Sequence, residues 1–252
     1  MPSLSVIIPC YNEEANLKRG VLDQVYRYLK QQSYQWELII VNDGSTDNSL
    51  TLIKKLTKPY SKYRIVNLSH RGKPWAVYRG IREAKYEYVL FIDMDQSTPI
   101  DQLDRICPYI KQHYDLIIGS RGLQRRGQTL FRKLGSGIFL FLRRLVLLPN
   151  IIDTQCGFKA MKTAVALNLF PRLQFFRQKS QTRGWNVSAY DVELLFLAKK
   201  LAYQIKEVEV TWQNQDISTT KGELNRRYLR ESLQMLWEII RVKTNEFKGL
   251  YR

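Results

Sequence analysis

Residues 88 to 96, "YVLFIDMDQ", combine two features that decide how this chain folds. Five apolar or aromatic residues form a run that fits a strand buried on both faces, and Asp93 and Asp95 follow it directly. In an extended chain alternate side chains point the same way, so two aspartates one residue apart can hold one cation together. The stretch therefore predicts a buried strand over 88–95 that brings two carboxylates to one end of a sheet.

Similar apolar runs, rich in β-branched residues, recur along the chain with helical patterns between them. This rhythm is typical of βαβ units, in which helices cover both faces of a mostly parallel sheet. We therefore expect an α/β fold. A later run at 205–212, "IKEVEVTW", alternates and predicts one more strand. The other runs are "LSVIIP" at 4–9, "ELIIVND" at 37–43, "RIVNLS" at 64–69 and "DLIIGSR" at 115–121.

Polar residues follow the end of each predicted strand. In open parallel sheets ligands bind beyond the carboxyl ends of the strands, so these residues are candidates for function. Turns and helix caps are the alternative reading of each segment taken alone. The chain has no GxGxxG or Walker A loop, which disfavours dinucleotide and P-loop sites. The residues are Pro9, Tyr11, Asn12, Glu13 and Glu14, then Asp43, Gly44 and Ser45, then Gln96, then Gly119, Ser120 and Arg121.

The net charge of +17 is the unusual feature of an otherwise ordinary globular composition. It indicates a polyanionic partner, and composition alone does not choose among nucleic acid, an anionic membrane and phosphorylated substrates. Cys10, Cys107 and Cys156 are widely spaced and lack CxxC spacing, so we expect neither a zinc site nor a disulfide framework. A reducing, cytoplasmic setting fits this pattern.

No segment is expected to cross a membrane. The start of the chain, "MPSLSVIIPCYNEE", has no basic region before its apolar residues and reads as a strand rather than a signal peptide. Residues 137–149 are apolar but are split by Arg143 and Arg144 and are too short to span a bilayer. They fit an interfacial helix and a core helix with two snorkelling arginines equally well.

Residues 223–252 predict a basic amphipathic helix with a short tail, separate from a domain formed by residues 1–222. Packing on that domain and contact with a membrane both remain open as the role of its apolar face. The apolar face comprises Leu229, Leu233, Leu236, Trp237 and Ile240, and the basic residues around it are Arg226, Arg227, Arg230, Arg241 and Lys243.

Five motifs in order resemble glycosyltransferase family 2, the inverting enzymes of GT-A fold that use nucleotide sugars. They are "SVIIPCYNEE", "VNDGSTDNS", "FIDMDQ", "IIGSR" and "DTQCGFKAM". The resemblance covers roughly residues 3–212 and implies a Rossmann-like sheet and a catalytic domain over 1–222. Within the family, "DTQCGFKAM" and "YDVELLFLAKK" are most similar to the dolichyl-phosphate glucosyltransferases and their bacterial polyprenyl-phosphate relatives.

The resemblance also implies roles for individual residues. Asp95 and Asp191 are implied as catalytic, with Asp191 facing the acceptor. A metal, Mg²⁺ or Mn²⁺, is implied at Asp93, Asp95 and Gln96. Arg121, Arg132 and Ser136 are implied to hold an acceptor phosphate. The residues implied to bind the nucleotide sugar are Pro9, Tyr11, Asn12, Glu13, Asp43, Gly44, Lys73, Asp93 and Met94.

Two departures from the family pattern qualify these roles. In "HRGKPWAV", Pro74 replaces a second glycine, so we expect a stiffer loop in which Lys73 still contacts the diphosphate. The loop "QNQDISTTKG" after residue 212 lacks the acidic and Gly-Ser-Lys residues of the subgroup, which removes support for sugar or metal contacts there. We interpret His70 as a loop residue rather than a ligand, and we place His113 in a helix.

The sequence thus predicts an enzyme that moves a hexose, with glucose favoured, from a UDP-sugar to a polyprenyl phosphate at the cytoplasmic face of a membrane. The expected partners are the donor, the lipid acceptor and an anionic membrane surface, with a separate membrane protein as a further candidate and no nucleic acid. One alternative is a family 2 enzyme with a saccharide or cell-wall polymer acceptor, for which Asp191 would be essential as a base. The other is a non-catalytic basic protein that binds membrane or nucleic acid.

Overall fold

A twisted sheet forms the centre of the protein. The structure, a computed structural model, describes residues 3–122, 143–177, 190–215 and 224–251, and the side chains of 224–235 are not described. Within these residues the sheet has seven strands in the order β3-β2-β1-β4-β6-β5-β7. They are β1 (Leu4–Cys10), β2 (Trp36–Asp43), β3 (Tyr63–Leu68), β4 (Tyr88–Phe91), β5 (Leu116–Ser120), β6 (Lys159–Lys162) and β7 (Ile205–Glu209).

The strand pairing is parallel everywhere except around β6, which runs antiparallel to both of its neighbours, β4 and β5. Residues of the central strands are buried on both faces, as in Val6, Ile7 and Ile8 of β1. This double burial explains their continuous apolar sequence, because both faces of the sheet are covered by helices.

Helices pack in a layer on each face of the sheet. One layer contains α1 (Glu14–Lys18), α2 (Val21–Lys30), α3 (Ser49–Thr57) and α5 (Leu103–Lys111). The opposite layer contains α4 (Lys73–Glu83), α6 (Thr163–Leu169), α8 (Tyr190–Lys200) and α9 (Leu224–Phe247), with the short α7 (Gln174–Arg177) beside it. Two 3₁₀ turns cover Ile100–Gln102 and Phe170–Arg172. The predicted α/β architecture is confirmed.

Two details of the predicted sheet are wrong. Strand β4 ends at Phe91 rather than at residue 95, and the backbone N–H of Gln96 then donates to the Asp93 carbonyl at 3.2 Å. Gln96 has a φ of 54°, so Asp93 and Asp95 lie on a turn rather than on alternate positions of an extended strand. The sequence reading also missed β6, which lies between β4 and β5.

The described part of the segment 137–149 differs from the prediction of two snorkelling arginines. Arg143 is 2% exposed, and its guanidinium donates to the carbonyls of Ile151 and Ile152 at 2.7 Å each and to the Thr154 hydroxyl at 2.9 Å. Arg143 therefore supports the chain that leads into β6, while Arg144 is exposed. Residues 137–142 lie outside the described residues.

Helix α9 extends through the region predicted to be helical, but part of its predicted apolar face points outward. Ile239 and Val242 are buried against α8, whereas Trp237 and Ile240 are 64% and 57% exposed. The rotation is explained by Arg241, whose guanidinium lies 3.1 Å from the buried carboxylate of Glu193 in α8. The side chains of Leu229 and Leu233 lie outside the described part of the helix.

Every helix in the described segments is too short or too polar to cross a membrane.

Candidate active site

The loops that follow β1 and β2 are joined by hydrogen bonds. The backbone N–H of Asn12 donates to the Ser45 hydroxyl at 3.1 Å, and the Asn12 side-chain oxygen accepts the backbone N–H of Thr46 at 2.8 Å. Next to it, the backbone N–H of Glu13 donates to the Ser49 hydroxyl at 2.8 Å. Two segments more than thirty residues apart thus form one polar rim at the carboxyl end of the sheet.

Asp43, the last residue of β2, organises the loop before α4. Its carboxylate accepts the backbone N–H groups of Arg71 and Gly72 at 2.9 and 2.8 Å and lies 2.9 Å from Nδ1 of His70. Gly44 follows with a φ of 67°, and a Cβ at that position would lie 2.6 Å from the backbone nitrogen of His70. The close approach of these two loops therefore requires glycine at position 44.

An aromatic pair lies beside Asp43. The rings of Tyr11 and His70 stack with centroids 3.9 Å apart and an angle of 18° between their planes. His70 lies in a loop, as predicted, and its ring contacts both Tyr11 and Asp43. A flat aromatic surface next to a carboxylate can accept a planar heterocycle such as a nucleobase.

Lys73, in the first turn of α4, forms an ion pair with Asp93, which follows β4. Both side chains are partly exposed, and partial loss of contact with water works against both charges. For Lys73 the carboxylates of Asp93, Asp191 and Asp95 outweigh it and raise its pKa, and for Asp93 the ammonium of Lys73 outweighs it and lowers its pKa. Pro74 lies in the same first turn, where its missing N–H leaves no intrahelical bond unmade. Lys73 is thus held at the donor end of the site.

The polar groups of the turn after β4 form hydrogen bonds mainly with one another. The Asp95 carboxylate accepts the backbone N–H of Ser97 at 2.8 Å. The Gln96 amide donates to the Asp93 carbonyl at 2.9 Å, and its oxygen accepts the N–H of Ile100 at 3.1 Å. The side-chain oxygen of Gln96, which the predicted metal role requires, is therefore already a hydrogen-bond acceptor within the turn. Met94 is buried in the core below, and Pro9 is half-buried in β1.

Gly157, just before β6, allows a close approach to Asp93. A Cβ at position 157 would overlap the Asp93 carboxylate. The carboxylate therefore sits directly over the backbone of the "CGF" segment, and the position of one glycine limits where Asp93 can point.

Arg121, after β5, pairs with Asp153 rather than extending freely into the site. Its Nε and Nη2 atoms lie 2.6 and 2.8 Å from the two carboxylate oxygens of Asp153, and its backbone N–H donates to the same carboxylate at 3.0 Å. Burial opposes the charge of Arg121, but the hydrogen bond and charge of Asp153 raise its pKa. A bidentate pair of this kind fixes the plane of the guanidinium.

Asp191, the second residue of α8, pairs with Lys159 in β6. Lys159 Nζ and Asp191 Oδ1 lie 2.8 Å apart, at an angle that gives an ion pair rather than a hydrogen bond. The ammonium also donates to the carbonyl of Cys156. Lys159 is completely buried, and the sequence reading assigned it no role, although a lysine between Phe158 and Ala160 in an apolar run is an unusual placement.

The residues fit a divalent cation that takes part of its ligands from a substrate. Asp93 and Asp95 supply hard carboxylate oxygens on one turn, and the described residues contain no group of three or more His, Cys, Asp or Glu able to enclose a metal. Mg²⁺ is commonly held in this way, by one or two carboxylates together with substrate phosphates.

The structure thus brings nearly all the predicted site residues to one edge of the sheet. The donor residues lie at the carboxyl ends of β1, β2 and β4 and at the start of α4, and Arg121 and Asp191 lie on the other side of Asp93. Gly157 lies against Asp93, and Lys159, two residues later, pairs with Asp191, so the two sides are neighbours. Arg132 and Ser136 lie outside the described residues, so their acceptor role stays a prediction.

The mostly parallel sheet, with its antiparallel strand β6 beside the paired aspartates, fits the class of GT-A glycosyltransferases that the sequence resembles, and comparisons with known proteins agree. Glycosyl transferase family 2 matches residues 5–170 of the chain. The dolichyl-phosphate beta-glucosyltransferase of Dictyostelium discoideum is 32% identical over 99% of this chain and 76% of its own length. That of Drosophila melanogaster is 33% identical over 93% and 74%.

A solved structure shares the fold at low sequence identity. Glucosyl-3-phosphoglycerate synthase from Mycobacterium tuberculosis, in complex with Mn²⁺, UDP and phosphoglyceric acid, superposes with a TM-score of 0.62 and 19% identity over 94% of this chain and 78% of that one. The chain belongs to glycosyl transferase family 2 and is a glycosyltransferase.

Proposed function

We propose that this enzyme transfers a hexose, namely glucose, from a UDP-sugar to a polyprenyl phosphate with inversion, giving a β-linked lipid-phosphate sugar. The observation that carries this proposal is the similarity to a curated dolichyl-phosphate beta-glucosyltransferase over 99% of the chain. The site supports it, because a carboxylate pair for a donor metal lies beside cations suited to an anionic acceptor.

The donor would lie along the edge formed by the loops after β1, β2 and β4. The Tyr11–His70 stack and the Asp43 carboxylate would contact the uracil ring, and Lys73 would contact the diphosphate; the ring stack and the position of Lys73 beside Asp93 support these roles. Asp93 and Asp95 would hold Mg²⁺ or Mn²⁺. When bound, such an ion neutralises the charge that develops on the leaving diphosphate. Lys73 can bind the same diphosphate once its ion pair with Asp93 has broken.

The acceptor chemistry favours a phosphate over a hydroxyl. A lipid phosphate is already an anion and needs cations and alignment more than it needs a strong base. Arg121 suits this task because a guanidinium matches phosphate geometry, with Arg132 and Ser136 as further contacts. Asp191, whose charge is balanced by Lys159, would then position the acceptor or stabilise positive charge on the sugar ring.

The lipid acceptor requires contact with a membrane, and we propose that the enzyme binds the cytoplasmic face peripherally through α9. Trp237, Ile240 and Phe247 expose apolar side chains on its outer face, and the chain carries a net charge of +17. Each basic residue near an anionic surface contributes about 1 kcal/mol to binding.

Binding to phosphatidylserine liposomes at low salt should fall several-fold in a Trp237→Ser, Ile240→Ser variant. It should stay unchanged in Leu167→Ser, which replaces an exposed leucine on α6. Equal binding of all three proteins would remove α9 from this role.

The proposed reaction is tested by following labelled glucose from UDP-glucose into the organic phase with a short polyprenyl phosphate and Mg²⁺ or Mn²⁺. We expect transfer that requires the metal, falls by at least about 100-fold in Asp95→Asn and survives in Asp101→Asn, an exposed aspartate in the next turn. Transfer to a saccharide but not to the lipid would replace the proposed acceptor with a hydroxyl compound.

A further inference from the structure

Lys159 is a completely buried lysine inside a glycosyltransferase core. Removing an ammonium from water costs several kcal/mol unless partners compensate, so fully buried lysines are uncommon. Its partners are the Asp191 carboxylate at 2.8 Å and the Cys156 carbonyl, with the ring of Phe91 5.8 Å away. The protein keeps this charge below its active site without exposing it to substrate.

The place of Lys159 in the sheet explains how it reaches the site from below. It is the first residue of β6 and pairs in register with Phe91, the last residue of β4. Asp93 follows two residues later, and its carboxylate lies directly over the backbone of Gly157, two residues before Lys159. The ammonium thus lies between the donor carboxylates and α8, which carries Asp191.

The position of Lys159 bears on how the site binds an anionic acceptor. Asp93, Asp95 and Asp191 give the site three carboxylates, and each repels an incoming phosphate unless a cation offsets it. A donor metal and Lys73 can offset the first two. The family resemblance implies that Asp191 faces the acceptor, and Lys159 is a buried cation in direct contact with it.

We propose that Lys159 is a positioning residue that fixes the Asp191 carboxylate and neutralises its charge from within the core, so that the site admits a phosphate acceptor. The inference rests on the proposed lipid-phosphate acceptor. Lys159 does not touch the substrate and acts only through Asp191. Its removal therefore affects acceptor affinity, and removal of both charges together restores that affinity.

The experiment compares Lys159→Met, Asp191→Asn and the double variant with the wild-type enzyme. At pH 8, Lys159→Met leaves Asp191 uncompensated, and we expect the KM for polyprenyl phosphate to rise about 10- to 100-fold while the Kd for UDP stays within about threefold. In the double variant the KM returns to within about threefold of wild type, whatever the loss in kcat. A defect that is merely structural would raise the Kd for UDP together with the KM for the acceptor.

The matched control is Lys162→Met, at the other end of the same strand. Lys162 Nζ lies 2.8 Å from Asp115, the same separation as in the Lys159–Asp191 pair, but that pair faces away from the site. We expect its KM to be unchanged. Thermal unfolding of every variant shows whether it folds. If Lys159→Met fails to fold, the double variant is compared with Asp191→Asn instead, because the double variant has no uncompensated charge. A difference of more than tenfold between the KM values of these two variants overturns the inference.

A direct binding measurement separates this inference from the proposed function. Farnesyl phosphate is titrated into the same proteins by calorimetry in the absence of donor. If the wild type binds it but transfers no sugar, the proposed function fails, and the Kd values decide the role of Lys159. A Lys159→Met variant that binds as tightly as wild type, or a double variant as weak as Lys159→Met, overturns the inference, as does a wild type that binds no phosphate.

Discussion

The two sides of the site are held by different interactions. On the donor side, the loops after β1 and β2 are joined by hydrogen bonds from partly exposed groups such as Asn12 and Thr46. On the acceptor side, buried ion pairs hold Arg121 to Asp153 and Lys159 to Asp191. Exposed hydrogen bonds can be replaced by bonds to water or ligand at little net cost in free energy. Breaking a buried ion pair costs more, because it leaves a buried charge without a partner. The donor side can adapt to a nucleotide, and the acceptor side is rigid.

The largest predicted effect concerns the acceptor side. Asp153→Ala leaves the mostly buried guanidinium of Arg121 without its bidentate partner, and we expect a loss of about 3–5 kcal/mol in the free energy of unfolding. Urea denaturation measures it. Replacing both residues, as Arg121→Met with Asp153→Leu, should cost clearly less than Asp153→Ala alone. A loss below about 1 kcal/mol in Asp153→Ala would show that the acceptor side is no more rigid than the donor side.

Gly157→Ala tests the boundary between the two sides. The new Cβ would overlap the Asp93 carboxylate, which can rotate away, so we expect a small change in stability and a loss of about 10-fold in metal-dependent UDP affinity. Calorimetric titration of UDP with and without Mn²⁺ separates the two effects. An unchanged affinity in the presence of Mn²⁺ would mean that the Asp93 position does not limit metal binding.

On the donor side, Asn12 combines a hydrogen-bonding side chain with a φ of 55°. Asn12→Ala loses the bond and places a Cβ in the left-handed region, so we expect it to cost about 1–2 kcal/mol in the free energy of unfolding. Asn12→Gly loses the bond but accepts the backbone angle and should cost about half as much. Urea denaturation of both variants gives the two values, and equal values would show that the backbone angle contributes nothing.

The smallest predicted effect is a difference between Cys10 and Cys156 in how readily local unfolding exposes each thiol. Burial raises the pKa of the Cys10 thiol to about 12, so at pH 8 only about one thiol in 10,000 is ionised, and native Cys10 should react with alkylating reagents far more slowly than the unfolded chain. Cys156, on the acceptor side, is also buried with a raised pKa. At low urea, mass spectrometry should show Cys10 labelled before Cys156. The reverse order would contradict the proposed contrast in rigidity.

The sequence was sufficient to predict most of the donor side. Asp43 ends a strand with a clear apolar run, and Asn12 and Asp93 follow two others, so their place at the sheet edge follows from topology. The acceptor side was harder because its residues act in pairs distant in sequence. Asp153 lies 32 residues from Arg121, and its role depends on that contact.

Local patterns also fail where a strand is very short. Strand β6 has four residues, "KAMK", too few to show alternation, and both of its neighbours run in the opposite direction. Lys159 could not be placed without that strand. The stacking of His70 on Tyr11 was hidden for a similar reason, because no periodicity connects two loops so far apart.

The position of β6 has a consequence for synthesis of the chain. Strands β3, β2, β1 and β4 are contiguous in the sheet and can pair as soon as residue 91 has left the ribosome. Among the described strands, β6 covers the free edge of β4, and it is made about 70 residues later, which takes roughly 4 to 14 s at typical translation rates. During that interval the nascent chain presents an open, apolar strand edge, the kind of surface that chaperones bind and that pairs with other chains.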